Sequence, residues 1–165
     1  MFMNLIMKQV SDAEIELLAA TANEIWHEFF PGIITEHQID YMVEKFQSPH
    51  AIREQITEGY QYYLAYADDT LIGYTGIHPE EELLFLSKLY LKKQFRGKGY
   101  GREMLAFVIE KARERKKSGI YLTVNRFNAH SIAVYDAAGF QTVRKQVSDI
   151  GNGYVMDDYV MQFLV

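Results

Sequence analysis

Apolar positions change their period several times along the chain. Ile15, Leu18, Ala22, Ile25 and Phe29 recur every three or four residues, the spacing that lines one face of a helix. Ser11 and Glu14, just ahead of that run, have capping-box spacing. Pro31 and Gly32 end the helix. Thr35 and Gln38 open a second one carrying Ile39, Met42, Val43 and Phe46, and Pro49 after Ser48 starts a short third that closes at Gly59. From Tyr60 the texture becomes strand-like: "YQYYLAYA", a turn at Asp68 and Asp69, then "LIGYTGI", aromatic and branched segments that predict a hairpin. "LLFLSKLYL" follows the acidic turn at Glu80, Glu81 and Glu82 as a further strand. The helical period returns at Met104, Leu105, Val108, Ile109 and Ala112. "IYLTV" predicts a strand, "NAHSIAVYDAA" a helix with Asn128 as N-cap and Gly139 as stop, and "FQTVRKQV" and "YVMDDYVMQFLV" two last strands. With "MFMNLIMKQV" as an opening strand, the order is β, helices, β, β, β, α, β, α, β, β. That is a mixed α/β sheet in one domain spanning residues 1–165.

Composition narrows the function classes. A length of 165 residues suits one domain with a real core. The formal net charge of −5 argues against nucleic acid as a partner and suits a cationic substrate better. The absence of cysteine excludes disulfides, thiolate metal sites and a cysteine nucleophile, and makes the cytoplasm the expected compartment. The opening segment is too short for a membrane span and lacks a basic front and a cleavage site, so no membrane partner is expected. His27, His37 and His130 form no metal-ligand spacing with a carboxylate on one helix face, and no metal is expected.

The stretch "QFRGKGYGREML" places Gly97, Gly99 and Gly101 on alternate positions among Arg96, Lys98 and Arg102, directly before a helix. Glycines let successive backbone N–H groups turn toward one point, and a helix N-terminus adds its positive end, so the segment predicts a seat for a phosphate. It is not a Walker loop, because Gly99 follows Lys98 where Ser or Thr is required. It is not the dinucleotide fingerprint either, because Arg102 stands at the third glycine.

Gln94-x-x-Gly97-x-Gly99, after a strand ending "LYL", resembles the acetyl-CoA pyrophosphate loop of the GNAT superfamily of N-acetyltransferases. The later "NAHSIAVYDAAGF" resembles that family's second signature through Asn128, Tyr135, Gly139 and Phe140. The resemblance covers nearly the whole chain. It implies a mostly antiparallel mixed sheet of about seven strands, flanked by helices and splayed at strands 4 and 5, with acetyl-CoA as cosubstrate.

Residue by residue, the resemblance implies that the main chain of Leu89, Tyr90 and Leu91 pairs with the pantetheine arm. The amides of Arg96, Gly97, Lys98, Gly99, Tyr100, Gly101 and Arg102 would hold the pyrophosphate, and Asn128 would contact the cofactor arm, a role compatible with N-capping. Tyr135 resembles the tyrosine that protonates the departing thiolate. A base for the amine is less marked: many members carry a glutamate near the position of Leu83, and Glu82 serves here if the register is one residue off. Otherwise the acids are a solvated turn and water relays the proton.

The acceptor pocket implied by the resemblance draws on the first helices and the last hairpin. Trp26, Glu28, Phe29, Asp157 and Tyr159 are its candidate residues, since acids and ring faces attract ammonium groups. The pattern is loosely similar to bacterial spermidine/spermine N-acetyltransferases, so a small-molecule amine, in particular a polyamine, is the expected acceptor, and a homodimer the expected assembly. A protein or peptide N-acetyltransferase and a non-catalytic CoA-binding module remain alternatives.

Overall fold

The computed structural model describes residues 4–165. Residues 1–3 of the expected opening strand lie outside the described residues. Cα packing divides the chain into two compact units. One runs to His78 and resumes over Leu86–Val108, and the other comprises Pro79–Phe85 and Ile109–Val165.

In the first unit, β1 (Leu5–Gln9) pairs antiparallel with β2 (Gln61–Ala67), which pairs antiparallel with β3 (Thr70–Pro79). β2 and β3 are apolar on both faces because both faces are covered. Tyr62, Leu64 and Tyr74 pack on Ile15, Leu18, Ala22 and Ile25 of α1 (Ile15–Phe29) and Ile52 of α3 (Pro49–Thr57). On the opposite face Ala65, Ala67 and Ile72 meet Tyr100 and Met104 at the start of α4 (Tyr100–Glu114). Ser11 and Glu14 form the expected capping box, opening a 3-10 turn that leads into α1. α2 (Glu36–Gln47) is capped by Thr35, whose Oγ1 accepts the Gln38 N–H. Gln38 itself turns to Met42 Sδ, so the second box is half made. β4 (Leu83–Leu91) matches its expected bounds, and Gly73 of β3 lets it come close. A Cβ on Gly73 would stand 2.2 Å from the Tyr90 carbonyl oxygen and 3.1 Å from Leu91 Cα.

In the second unit, β7 (Tyr154–Leu164) lies between β5 (Gly119–Asn125) and β6 (Gln141–Gly151), antiparallel to both. α5 (Ala129–Ala137) joins β5 to β6. Phe140 is buried against Phe163 and Tyr135, with ring centroids 5.3 and 5.5 Å away. The strand order is β1-β2-β3-β4-β5-β7-β6, seven strands, mostly antiparallel. The one parallel pairing, β4 with β5, runs for three pairs, Leu83–Phe85 against Gly119–Tyr121.

Candidate functional site

The loop after β4 is built for an anion. A 3-10 turn, Lys93–Phe95, leads to Arg96, and Gly97 and Gly99 take φ of +73° and +92°, the region that side chains resist. Nothing stands within 4 Å of where a Cβ would be at either glycine, so the backbone is open to a ligand. The first helical bond of α4 runs from Glu103 N–H to the Gly99 carbonyl. The N–H groups of Tyr100, Gly101 and Arg102 therefore have no acceptor within the helix. Gly101 is already in the first turn of α4 and has no positive φ, so its smallness rather than its freedom is used: its Cβ would meet Leu91 Cδ1 at 3.6 Å.

Arg96 supplies the charge. Its Nε donates to the Leu91 carbonyl at 3.0 Å, and its guanidinium lies 4.9 Å from the Phe29 ring centroid. Its Nη2 is buried and has no hydrogen-bond partner among the described residues. Burial lowers the guanidinium pKa and Glu28 opposes that shift. A buried, unanswered donor beside two open positive-φ glycines fits a phosphate oxygen, and the residues present fit the pyrophosphate of CoA. Lys98 and Arg102 are exposed beside it, whereas the Tyr100 side chain is buried core.

Leu89 and Leu91 turn their side chains into the Ala65–Met104 cluster. Tyr90 faces the other way, into rings of α1 and β3: Trp26 at 5.6 Å, Phe29 and Phe30 at 6.0 Å, Tyr74 at 5.6 Å between centroids. Trp26 is only 4% exposed and donates to Tyr74 Oη at 3.0 Å, and Tyr74 donates to Gln47 Oε1. Trp26 thus props the cluster from behind, while half-buried Phe29 forms its accessible part. Glu28 is exposed, with Oε2 accepting the Lys93 N–H at 3.3 Å, and Glu24 pairs with Lys92 at 3.6 Å. Both His27 nitrogens are engaged, by the Asn23 carbonyl and by Asp40 Oδ1 at 2.6 Å, and the Asp40 bond raises its pKa.

In the second unit, Asn128 is 6% exposed and caps α5, its Oδ1 accepting the Ser131 N–H at 3.3 Å. Tyr135 is half-buried on α5, and burial pushes its phenol up to about 12. It holds its proton at neutral pH and can donate it. Asp157 pairs with Arg126 Nε at 3.0 Å. Its neighbour Asp158, 3% exposed, has an Oδ1 with no partner among the described residues. Burial, then Asp157, pushes the Asp158 carboxyl up to about 6. Tyr159 is half-buried next to it.

Glu82 is exposed ahead of β4, where its carbonyl accepts the Ser118 N–H and hydroxyl. Sequence reading passed over Lys88 and did not separate Asp158 from the acids around it. Both fall on the core-facing phase of their strands, after Met156 and before Val160 in one case and after Leu84 and Leu86 in the other. An ionisable residue in that phase is the signal that marks them. Among the described residues no group of three or more His, Cys, Asp or Glu could hold a metal, and no helix is long and apolar enough to cross a membrane.

The family model for the acetyltransferase (GNAT) family matches residues 19–140. The chain is 27% identical over 155 residues to a spermidine N(1)-acetyltransferase of Thermoplasma acidophilum, covering 89% of this chain and 94% of the relative. It is 31% identical over 85 residues to a spermine/spermidine N(1)-acetyltransferase of Bacillus subtilis, covering 46% and 56% respectively. Among solved structures, PaiA N-acetyltransferase from Thermoplasma acidophilum in complex with coenzyme A superposes with a TM-score of 0.81 at 23% identity, covering 99% of this chain and 100% of that one. The open glycine turn with its unanswered arginine, the strand that leads into it and the later tyrosine helix thus lie in a chain that belongs to the acetyltransferase (GNAT) family, whose acetyl donor is acetyl-CoA.

Proposed function

We propose that this protein transfers the acetyl group of acetyl-CoA directly to a primary amine, with no covalent enzyme intermediate, and that the amine is a polyamine. The observation that carries the donor half is the buried Arg96 Nη2 beside Gly97 and Gly99, which has no hydrogen-bond partner among the described residues. In this reading the amides from Arg96 to Arg102 hold the pyrophosphate, the main chain of Leu89–Leu91 pairs with the pantetheine arm, and Asn128 supports that arm. Tyr135 gives its phenolic proton to the departing thiolate; burial raises its pKa to about 12, so the proton is in place at neutral pH. Phe29, Glu28, Asp157 and Tyr159 contribute to the acceptor's surroundings, with Trp26 holding Phe29's neighbours in place.

The polyamine reading draws on the names of the two relatives and on the acids and rings at Glu28, Phe29 and Tyr159. Glu24, Glu28 and Asp157 already have partners, which leaves fewer unspent charges for a polycation than the sequence advertises. The test is thiol release from acetyl-CoA with spermidine, spermine, 1,4-diaminobutane, n-butylamine and a peptide with a free N-terminus. Polyamines should give the highest kcat/KM. A peptide that wins overturns the polyamine reading, and silence with every amine overturns the transferase reading.

A further inference from the structure

Asp158 is a buried carboxylate that its own strands leave unanswered. In register it stands between Asn125 of β5 and Gln146 of β6, and residues paired across strands project from the same face. Neither amide serves Asp158 Oδ1: Asn125 Oδ1 accepts the Phe127 N–H at 2.9 Å, and Gln146 Nε2 donates to Ser148 Oγ at 3.3 Å. Arg126, next to Asn125 on β5, is bound to Asp157 through both its side chain and its backbone N–H, which donates to the Asp157 carbonyl. At 3% exposure, with Oδ1 lacking any partner among the described residues, Asp158 bears a desolvation cost with no internal compensation. Such a group calls for an explanation, and a ligand's cation supplies one.

We infer that Asp158 is the carboxylate that receives the acceptor's ammonium group and takes its proton, the base of the acetyl transfer. The inference rests on the acetyltransferase reading above and names the group which that reading leaves open. The ammonium passes one proton to an Asp158 oxygen. The freed lone pair forms the C–N bond to the acetyl carbon as the C–S bond breaks, and nitrogen releases its second proton to solvent. Sulfur gains one proton from Tyr135, which takes one back from solvent, and Asp158 returns its proton to solvent. Thioester and ammonium thus become amide, thiol and one free proton.

The electrostatics agree. A carboxyl at about 6 is mostly ionised at neutral pH yet basic enough to accept a proton in the transition state. Asp157 on the same strand is the charge that acts on it. Arg126 from β5 is committed to Asp157, and Lys145 from β6 is exposed opposite Tyr159, in the alternate register phase.

The experiment compares wild type with Asp158→Asn, which keeps shape and removes the base, using spermidine as acceptor. In the variant, kcat should fall about 10²-fold. The wild-type kcat/KM should lose activity through an acid limb with a midpoint near pH 6, and the variant should lack that limb and regain rate toward high pH, where the amine sheds its proton unaided. Acetyl-CoA affinity by calorimetry should be unchanged, and the thermal midpoint at pH 8 unchanged or higher, which separates a lost base from a lost fold. A variant with wild-type kcat and an intact acid limb overturns the assignment while leaving the transferase reading in place. Wild type that acetylates no amine overturns both.

Discussion

The Arg96 guanidinium lies 4.9 Å from the centre of the Phe29 ring while its Nε is tied to the Leu91 carbonyl, so one side chain links the end of β4, the end of α1 and the glycine turn. That arrangement spends one donor on orientation, the flat face on packing, and leaves Nη2 for a ligand. Lysine cannot do all three, having a point charge and no planar fork. Arg96→Lys should therefore weaken acetyl-CoA binding roughly 10-fold or more, the scale of one charge-assisted hydrogen bond. Calorimetry reads this directly, and an unaltered Kd would show that Nη2 meets no phosphate.

Gly99→Val tests the turn rather than the charge. At φ +92° a branched side chain is strained, but no atom stands within 4 Å of the new Cβ, so no clash adds to the backbone cost. The fold should survive with a loss on the order of 1–2 kcal/mol, while acetyl-CoA affinity falls severely because the amides no longer converge. Retained affinity in a folded variant would mean that the pyrophosphate is held elsewhere.

What could be read along the chain was local. The capping box at Ser11 and Glu14, the bounds of β4 and the cap at Asn128 depend on residues a few positions apart, and the structure has them all. The placement of β7 between β5 and β6 depends on pairings that no short stretch encodes. The same holds for the site. Glu28, Asp157 and Trp26 read as groups free for a substrate, yet Lys93, Arg126 and Tyr74, all more than 30 residues away, engage them. Gly101 read as part of the flexible run, but the helix begins one residue before it. Asp158 read as one acid among several, and only the register with Asn125 and Gln146 separates it from Asp157.

Tyr135→Phe keeps the ring that packs 5.5 Å from Phe140 and removes the proton. Thiol release should slow about 10²-fold or more, with the thermal midpoint and acetyl-CoA affinity little changed. Since burial holds the phenol near 12, its ionisation should add no alkaline limb to the wild-type rate below about pH 11. Wild-type turnover in the variant would transfer the acid's role to solvent.

Lys88 should make the protein's stability depend on pH. It sits on β4 at 7% exposure, its Nζ donating to Gln55 Oε1 at 2.8 Å, to the Phe46 carbonyl at 3.2 Å and to Tyr62 Oη, with no carboxylate among these partners. Burial lowers its pKa to about 7 from the ordinary 10.5. Between those two values the unfolded chain holds a proton that the folded chain has released. Unfolding free energy must then rise with pH across that window, by at most about 1.4 kcal/mol per pH unit, and the penalty for burying the ammonium is fully present below pH 7. Thermal midpoints should climb from pH 7 to pH 9. Lys88→Met, which keeps the length and apolar stem but cannot titrate, should flatten that climb while losing the three donated bonds. Chemical denaturation of both proteins at pH 7, 8 and 9 decides the matter: parallel slopes would mean that Lys88 keeps its proton in the folded state, stabilised by its ring of oxygens and the Tyr62 face 4.8 Å away.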